Sequence, residues 1–342
     1  MFEGLKERLN LIWIPLALSI FGVYAIQRGF ATFAKADGFG IPHMKEALAI
    51  YFTVMSVAVL IGGYFLDNFS SRKVMLFATV IGVLGILLVP YSPLGFGLLF
   101  GSAAAFIKLA PYSSPMKLFN KNEALRIAPQ SAAKNIGGAA FILFLGTALT
   151  SLGWNVATVV LACFFLLTGL MTYNMLPDDK IEGWKWNIFL KLIRDIKFWM
   201  MAVYFFLMCG FYYIAIYQFY PALTKVTGLP KGTAMTVLAV SYIMAAALRF
   251  LVAWLGELRL PNGQRFRLPL MWIGTAGMAA SIYLTPVYPI VSLGLFTFMS
   301  SIHTPNYWAY CKEQWGPVYI STVVSLGFFF MYLGAGVMYG AW

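Results

Sequence analysis

Three residues stand where a charge is hard to keep. Lys108, Arg249 and His303 each fall inside a long apolar run, where an ionisable side chain is expensive and marks a functional hypothesis. All three are cationic or can become so, and no Asp or Glu lies deep in any apolar run. A basic, acid-free interior suits an anion such as a carboxylate, a nitrate-like oxyanion or a phosphate. Arginine grips a planar oxyanion with paired hydrogen bonds, and lysine acts on it as a point charge. Imidazole titrates near neutrality, which makes His303 the candidate for carrying a coupling proton. Tyr24, Gln27, Tyr112, Tyr213, Tyr217, Gln218 and Asn306 lie in the same or neighbouring runs and could complete a polar, aromatic cavity. Plainer readings stand beside these. Lys108 could pair with a buried carbonyl, and Arg249 could reach the interface along its aliphatic stem. His303 could be a hydrogen-bonded core residue beside the helix break at Pro305, and the tyrosines could belong to an interfacial belt.

Other chemistry finds no support. The chain has no phosphate-binding glycine loop, no dinucleotide fingerprint and no Ser/His/Asp set. Its two histidines and its isolated Cys163, Cys209 and Cys311 offer no metal spacing and no disulfide framework. No catalytic residue, metal or cofactor is therefore expected, and the chain is not read as an enzyme.

The elements that hold these residues follow from composition. Of 342 residues, 61% are hydrophobic and only 11% charged, with a mean hydropathy of +0.79. A soluble domain carries about 25% charged residues, so the solvent of this chain must be lipid. Soluble enzymes, nucleic-acid binders and disordered scaffolds are excluded. Eleven segments are long enough to span: 10–27, 47–66, 74–91, 94–116, 132–152, 155–176, 198–220, 233–255, 268–285, 290–311 and 318–340. They are too long for barrel strands and read as helices. The first has no cleavage site and is not a removable signal. With the N-terminus in the cytoplasm, the outside loops hold only Arg28, Lys35, Lys45, Lys225 and Lys231 among the basic residues, and nearly all the rest fall inside. That asymmetry sets the orientation, puts the C-terminus outside and explains the net charge of +12 without an acidic partner. The expected site is a bacterial cytoplasmic (inner) membrane.

The chain divides near its middle. Residues 1–176 are expected to form a six-span bundle and 198–342 a bundle of five. Between them, 177–197 is a cytoplasmic linker whose Trp- and Lys-rich stretch reads as an interfacial amphipathic helix. The halves repeat at a shift of about 195 residues. Lys108 maps onto His303, Lys117 onto Lys312, Asp67 and Arg72 onto Asn262 and Arg267, and Pro90-Tyr-Ser-Pro93 onto Pro286-Val-Tyr-Pro289. An even number of spans per shift gives both halves the same orientation, with the pseudo-axis along the membrane normal.

The loop after the second span, Gly63-Tyr-Phe-Leu-Asp67-Asn-Phe-Ser-Ser-Arg72-Lys73, resembles the signature of the major facilitator superfamily. Gly63, Asp67, Arg72 and Lys73 fit; Asn68 and Ser70 depart from it. The resemblance implies an all-α polytopic membrane protein of two pseudo-symmetric bundles, a secondary transporter working by alternating access. It implies a gate in which Asp67 meets the start of the eleventh span, near Pro317, from the other half; a carboxylate is favoured at a helix N-terminus. Spans 1, 4, 7 and 10 line the cavity in that fold, which agrees with the clustering of polar residues. An arginine in the eighth span resembles the arginine-dependent anion porters of the superfamily. Members usually have twelve spans, and the twelfth is missing here. The reading is a transporter of a small organic or inorganic anion, in contact with lipid and without nucleic acid. The alternative is a transport-inactive structural or assembly subunit, with a membrane-protein partner covering the missing span.

Overall fold

The computed structural model describes residues 13–33, 44–118, 123–176, 186–261, 263–316 and 319–341. Among the described residues, each of the eleven apolar segments lies mostly in helix. The elements are α1 (Trp13–Phe33), α2 (Met44–Asn68), α3 (Ser71–Leu87), α4 (Pro93–Leu118), α5 (Glu123–Met175), α6 (Trp186–Ile193), α7 (Ile196–Lys225), α8 (Lys231–Glu257), α9 (Arg267–Leu284), α10 (Pro289–Ser301), α11 (His303–Trp315) and α12 (Ile320–Ala341). No strand occurs among the described residues beyond one isolated bridge, Arg259 to Arg265. The helices are apolar on their outer as well as inner faces: Leu167, Met200, Val203, Met244 and Trp254 are all exposed. Helices hydrophobic all round belong in lipid.

Three local features are read directly from residues. Pro93 and Pro289, equivalent in the repeat, each open a helix at its first turn, where a missing N–H costs nothing. Gly153 adopts φ 69°, ψ 170°, which splits α5 into the fifth and sixth spans. A residue with a Cβ would be strained there. Pro305 has no N–H to offer the carbonyl of Ser301, and the tenth span breaks at Ile302 into α10 and α11.

Within the first half α1 packs along α5 and α2 along α4; within the second, α7 packs along α12. The halves meet chiefly where α5 lies on α8 and α2 on α12. Gly137 permits the α1–α5 approach, because an added Cβ would run into the carbonyl of Phe21. Of the linker, residues 177–185 lie outside the described ones, and Trp186–Ile193 form the helix α6. Leu192 is buried, Ile188 and Phe189 lie against the core, and Lys191 donates to the Tyr319 hydroxyl at 3.2 Å.

Two charges are relocated by the fold. Arg28 and Lys134 read as loop residues at opposite membrane surfaces. Yet α1 continues to Phe33, and α5 begins at Glu123, well before the apolar run. Both cations therefore lie inside helices, and Arg28 is fully buried. One leaves the tally on each side, so the direction of the charge asymmetry stands.

Candidate functional site

At the centre, where the two halves meet, a cavity is lined by Tyr24 of α1, Lys134 of α5, Tyr212 and Tyr213 of α7, His303 of α11 and Tyr332 of α12, among others. Its open space is small, about 20 Å³, room for roughly one water. Of the residues expected from sequence, Tyr24, Tyr213 and His303 line it directly.

Lys108 and Gln27 stand just behind Tyr24. The Lys108 ammonium donates to Gln27 Oε1, to the Tyr51 hydroxyl at 3.2 Å and to Met55 Sδ at 3.4 Å. It also sits 4.3 Å from the ring centre of Tyr24 and 4.8 Å from that of Tyr332. Gln27 turns its amide nitrogen to Tyr213, so a polar chain runs from α4 through α1 to the second half. Tyr24 and Tyr332 meet hydroxyl to hydroxyl at 3.3 Å.

Arg249, fully buried in α8, donates from Nη1 to the Ser301 carbonyl at 2.9 Å. That carbonyl is the one Pro305 leaves without a helical donor, so the helix break creates the acceptor that seats the arginine. The Arg249 Nε has no hydrogen-bond partner among the described residues. His303 contacts the Tyr204 hydroxyl through Nδ1, and its ring packs against Gly274. The remaining expected residues are not on the cavity wall. Asn306 ties helices together, donating to Val252 O at 3.1 Å and Ile302 O at 2.8 Å. Tyr112 packs on Trp308 and Phe328 with its hydroxyl buried. Tyr217 is buried and Gln218 partly buried along α7.

The two cations that sequence reasoning placed in loops belong to this centre. Lys134 lies 5.0 Å from the ring centre of Tyr24 and 4.7 Å from that of Tyr212, and makes no hydrogen bond to a described residue. Arg28 faces the same two rings at 5.7 and 5.4 Å and Tyr242 at 4.7 Å. Its Nη1 donates to Asn135 Oδ1 at 2.7 Å and its Nη2 to the Tyr212 hydroxyl. Gly138 makes the room: a Cβ there would come within 2.6 Å of Arg28 Cδ. The signal was in the spacing. Lys134 and Gly138 stand four apart on one face of α5, with Asn135 beside them. Among the described residues, Arg28, Lys108, Lys134 and Arg249 form no ion pair with any carboxylate.

Charges are balanced elsewhere, at one end of the helices. Arg267, 1% exposed at its side chain, meets Glu257 at 2.7 Å, Glu313 at 3.3 Å and Glu123 at 3.4 Å. Arg265 meets Glu123 at 3.1 Å, Glu257 at 3.2 Å and Glu313 at 3.5 Å, and Lys312 meets Glu123 at 3.5 Å. Glu257 also accepts from the Ala124 N–H at 3.1 Å and so caps α5. Glu123 and Ala124 belong to the first half and the rest to the second, so this cluster clasps the halves together. Burial works against ionisation of Glu123. Its backbone hydrogen bond and the cations of Arg265, Arg267 and Lys312 outweigh that and hold its carboxyl below the usual range. Arg265 is likewise burdened by burial, and the carboxylates around it raise its affinity for the proton.

The gate expected from the first half cannot be paired in the same way. The Asp67 side chain and Pro317 lie outside the described residues. Gly63 is buried, Lys73 is exposed, and Arg72 stacks 4.1 Å over the ring of Tyr173 within its own half.

Comparison with known proteins agrees with this architecture. Curated protein sequences give no match. Among solved structures, the chain is similar to a Major Facilitator Superfamily transporter, FucP, in the outward conformation. The TM-score is 0.66 at 14% identity, covering 94% of this chain and 89% of that one. This likeness speaks for the fold. The sequence model of the Major Facilitator Superfamily matches residues 11–339. With a match over nearly the whole chain, this integral membrane protein belongs to the Major Facilitator Superfamily of secondary transporters.

Proposed function

We propose that the chain carries a small organic or inorganic anion across a bacterial inner membrane by alternating access, with Lys134 as the residue that meets the anion. One observation carries this reading: Lys134 lines the central cavity over the rings of Tyr24 and Tyr212 and makes no hydrogen bond among the described residues. A ring face attracts an ammonium but accepts none of its N–H donors well, so the hydrogen-bonding capacity of Lys134 is left for a ligand. Arg28, Lys108 and Arg249 stand behind it and add positive potential without a carboxylate to cancel it. Among the described residues, the buried donors Arg28 Nε, Asn135 Nδ2 and Arg249 Nε have no hydrogen-bond partner, which supports the same need for acceptor oxygens. The clasp around Arg267 is the gate of the end that carries it. The charge asymmetry of the loops supports a cytoplasmic position for that end.

The test is flux. The purified chain in liposomes should take up at least one of labelled formate, oxalate, nitrate and phosphate, and Lys134→Ala should lose that uptake. Uptake that survives in Lys134→Ala would remove the site; no uptake of any of the four by the unaltered chain would remove the anion reading.

A further inference from the structure

We infer that the corner where α6 turns into α7 binds an anionic phospholipid of the leaflet that borders the clasped end. The site is separate from the central cavity and does not depend on what is carried. Three basic side chains stand at this corner at intervals of three residues, Lys191, Arg194 and Lys197, and all three are exposed. Among the described residues, Arg194 and Lys197 form no ion pair. Lys191 meets a neutral partner, the hydroxyl and ring face of Tyr319. The acid between them, Asp195, is half-buried and already engaged by the protein. Its Oδ1 accepts from the Lys197 N–H at 2.9 Å and its Oδ2 from Trp315 Nε1 at 2.8 Å. The corner is also the N-terminus of the 30-residue helix α7, whose dipole adds positive potential.

What lies beside the charges selects a lipid over a free anion. Ile196, Met200 and Val203 are 73, 61 and 55% exposed. They stand at i, i+4 and i+7, so they form one stripe along the start of α7. Apolar side chains displayed in this way on a membrane helix face acyl chains. The stripe rises about 10 Å along the helix, and Arg194 and Lys197 flank its lower end. A phospholipid whose chains follow the stripe therefore brings its phosphate to the level of these cations. Guanidinium takes phosphate oxygens in pairs, and each basic residue near an anionic surface adds attraction. The frame is held firmly. Trp199 donates from Nε1 to the Ile193 carbonyl at 2.8 Å and packs edge-on against Phe330, and Phe198 packs edge-on against Trp315. Leu192 is buried, and Trp315 stands two residues beyond Glu313 of the clasp. A headgroup seated at the corner braces the linker on the second half, beside the clasp.

The experiment measures lipid binding directly. The full chain, purified in a neutral detergent, is titrated with dioleoyl phosphatidylglycerol or dioleoyl phosphatidylcholine, and lipid-bound protein is counted by native mass spectrometry. Phosphatidylglycerol should bind about tenfold or more tightly than phosphatidylcholine, and a large excess of inorganic phosphate should not displace it. The double variant Arg194→Gln, Lys197→Gln should bring the two lipids to within about twofold of each other. Equal binding of the two lipids by the unaltered chain would overturn the site, and displacement by phosphate would overturn the lipid as its occupant. A preference undiminished in the double variant would place the lipid elsewhere on the protein. Lys73→Gln, which removes an exposed charge from the first half, should keep the preference. A loss as large in that variant would reduce the site to diffuse attraction by net charge.

Discussion

The centre and the clasped end of this molecule use the same residue types for opposite purposes. Around Arg267 three cations are interleaved with three carboxylates at 2.7 to 3.5 Å, and the cluster is neutral. Around Tyr24, arginine and lysine meet hydroxyls, amides and ring faces, and the cluster is positive. A neutral ionic cluster is complete in itself and can only hold or part. A positive cluster is incomplete, and what completes it is a ligand. The difference predicts opposite signs for the same kind of substitution.

The largest effect is expected at the clasp. Arg267→Met leaves Glu123, Glu257 and Glu313 facing one another with the guanidinium gone, and removing one member of a buried ion pair costs about 3–5 kcal/mol. The thermal midpoint of the purified protein should fall clearly. A variant as stable as the parent would show that the clasp contributes no net attraction and would erase the contrast between the two regions.

Lys134→Met should do the reverse to stability while removing function. Loss of one of several like charges relieves repulsion, so the midpoint should stay level or rise, by about 1 kcal/mol. Anion uptake should drop about 100-fold, the value of a charge-assisted contact of about 3 kcal/mol. A protein both destabilised and inactive would mean that Lys134 is a structural cation, and the centre would then resemble the clasp.

The sequence made the fold legible because lipid demands apolar runs of fixed length, and few other constraints compete with that one. It also made part of the site legible: Lys108, Arg249 and His303 interrupt such runs and announce themselves. The helix break expected at Pro305 is present, and the carbonyl it frees is taken by Arg249, a pairing the sequence reading did not make. Arg28 and Lys134 stayed hidden for the same reason that the others were visible. An apolar window ends where polar residues thicken, and α5 opens with Glu123, Arg126, Gln130 and Ser131. That stretch looks like a loop, but Glu123 is held in the clasp and Gln130 and Ser131 are buried. Whether a cation at the edge of an apolar run faces water or the bundle is decided by its neighbours on other helices, which one helix cannot reveal. The two neighbouring glycines of α5 differ in use: Gly137 lets α1 approach, and Gly138 seats Arg28.

Gly138→Ala tests the centre more gently. The new methyl has 2.6 Å to Arg28 Cδ, so the guanidinium must shift away from Asn135 and Tyr212 with its charge retained. A fall of about tenfold in uptake is expected, the scale of one displaced contact of about 1.4 kcal/mol. Little change in stability should accompany it. Unaltered uptake would mean that Arg28 adds positive potential alone and that its exact position is immaterial.

The smallest effect concerns protons, and it belongs to the clasp alone. Glu123 holds its proton less tightly in the folded protein than the ordinary value of 4.5. The unfolded chain therefore binds more protons than the folded one as pH falls past that value, and acid favours unfolding. Stability from this carboxylate is complete above about pH 4.5 and is lost as pH drops through the lower folded value. The thermal midpoint should be flat from neutral pH down to about 5 and decline below it. Glu123→Gln should start lower at neutral pH, where its missing charge leaves Arg265, Arg267 and Lys312 less well matched, and its decline in acid should be shallower. A decline of the same steepness in the variant would assign the acid sensitivity to Glu257 or Glu313. It would also mean that the first half is tied to the clasp more through the capped end of α5, where Glu257 accepts from Ala124, than through Glu123 itself.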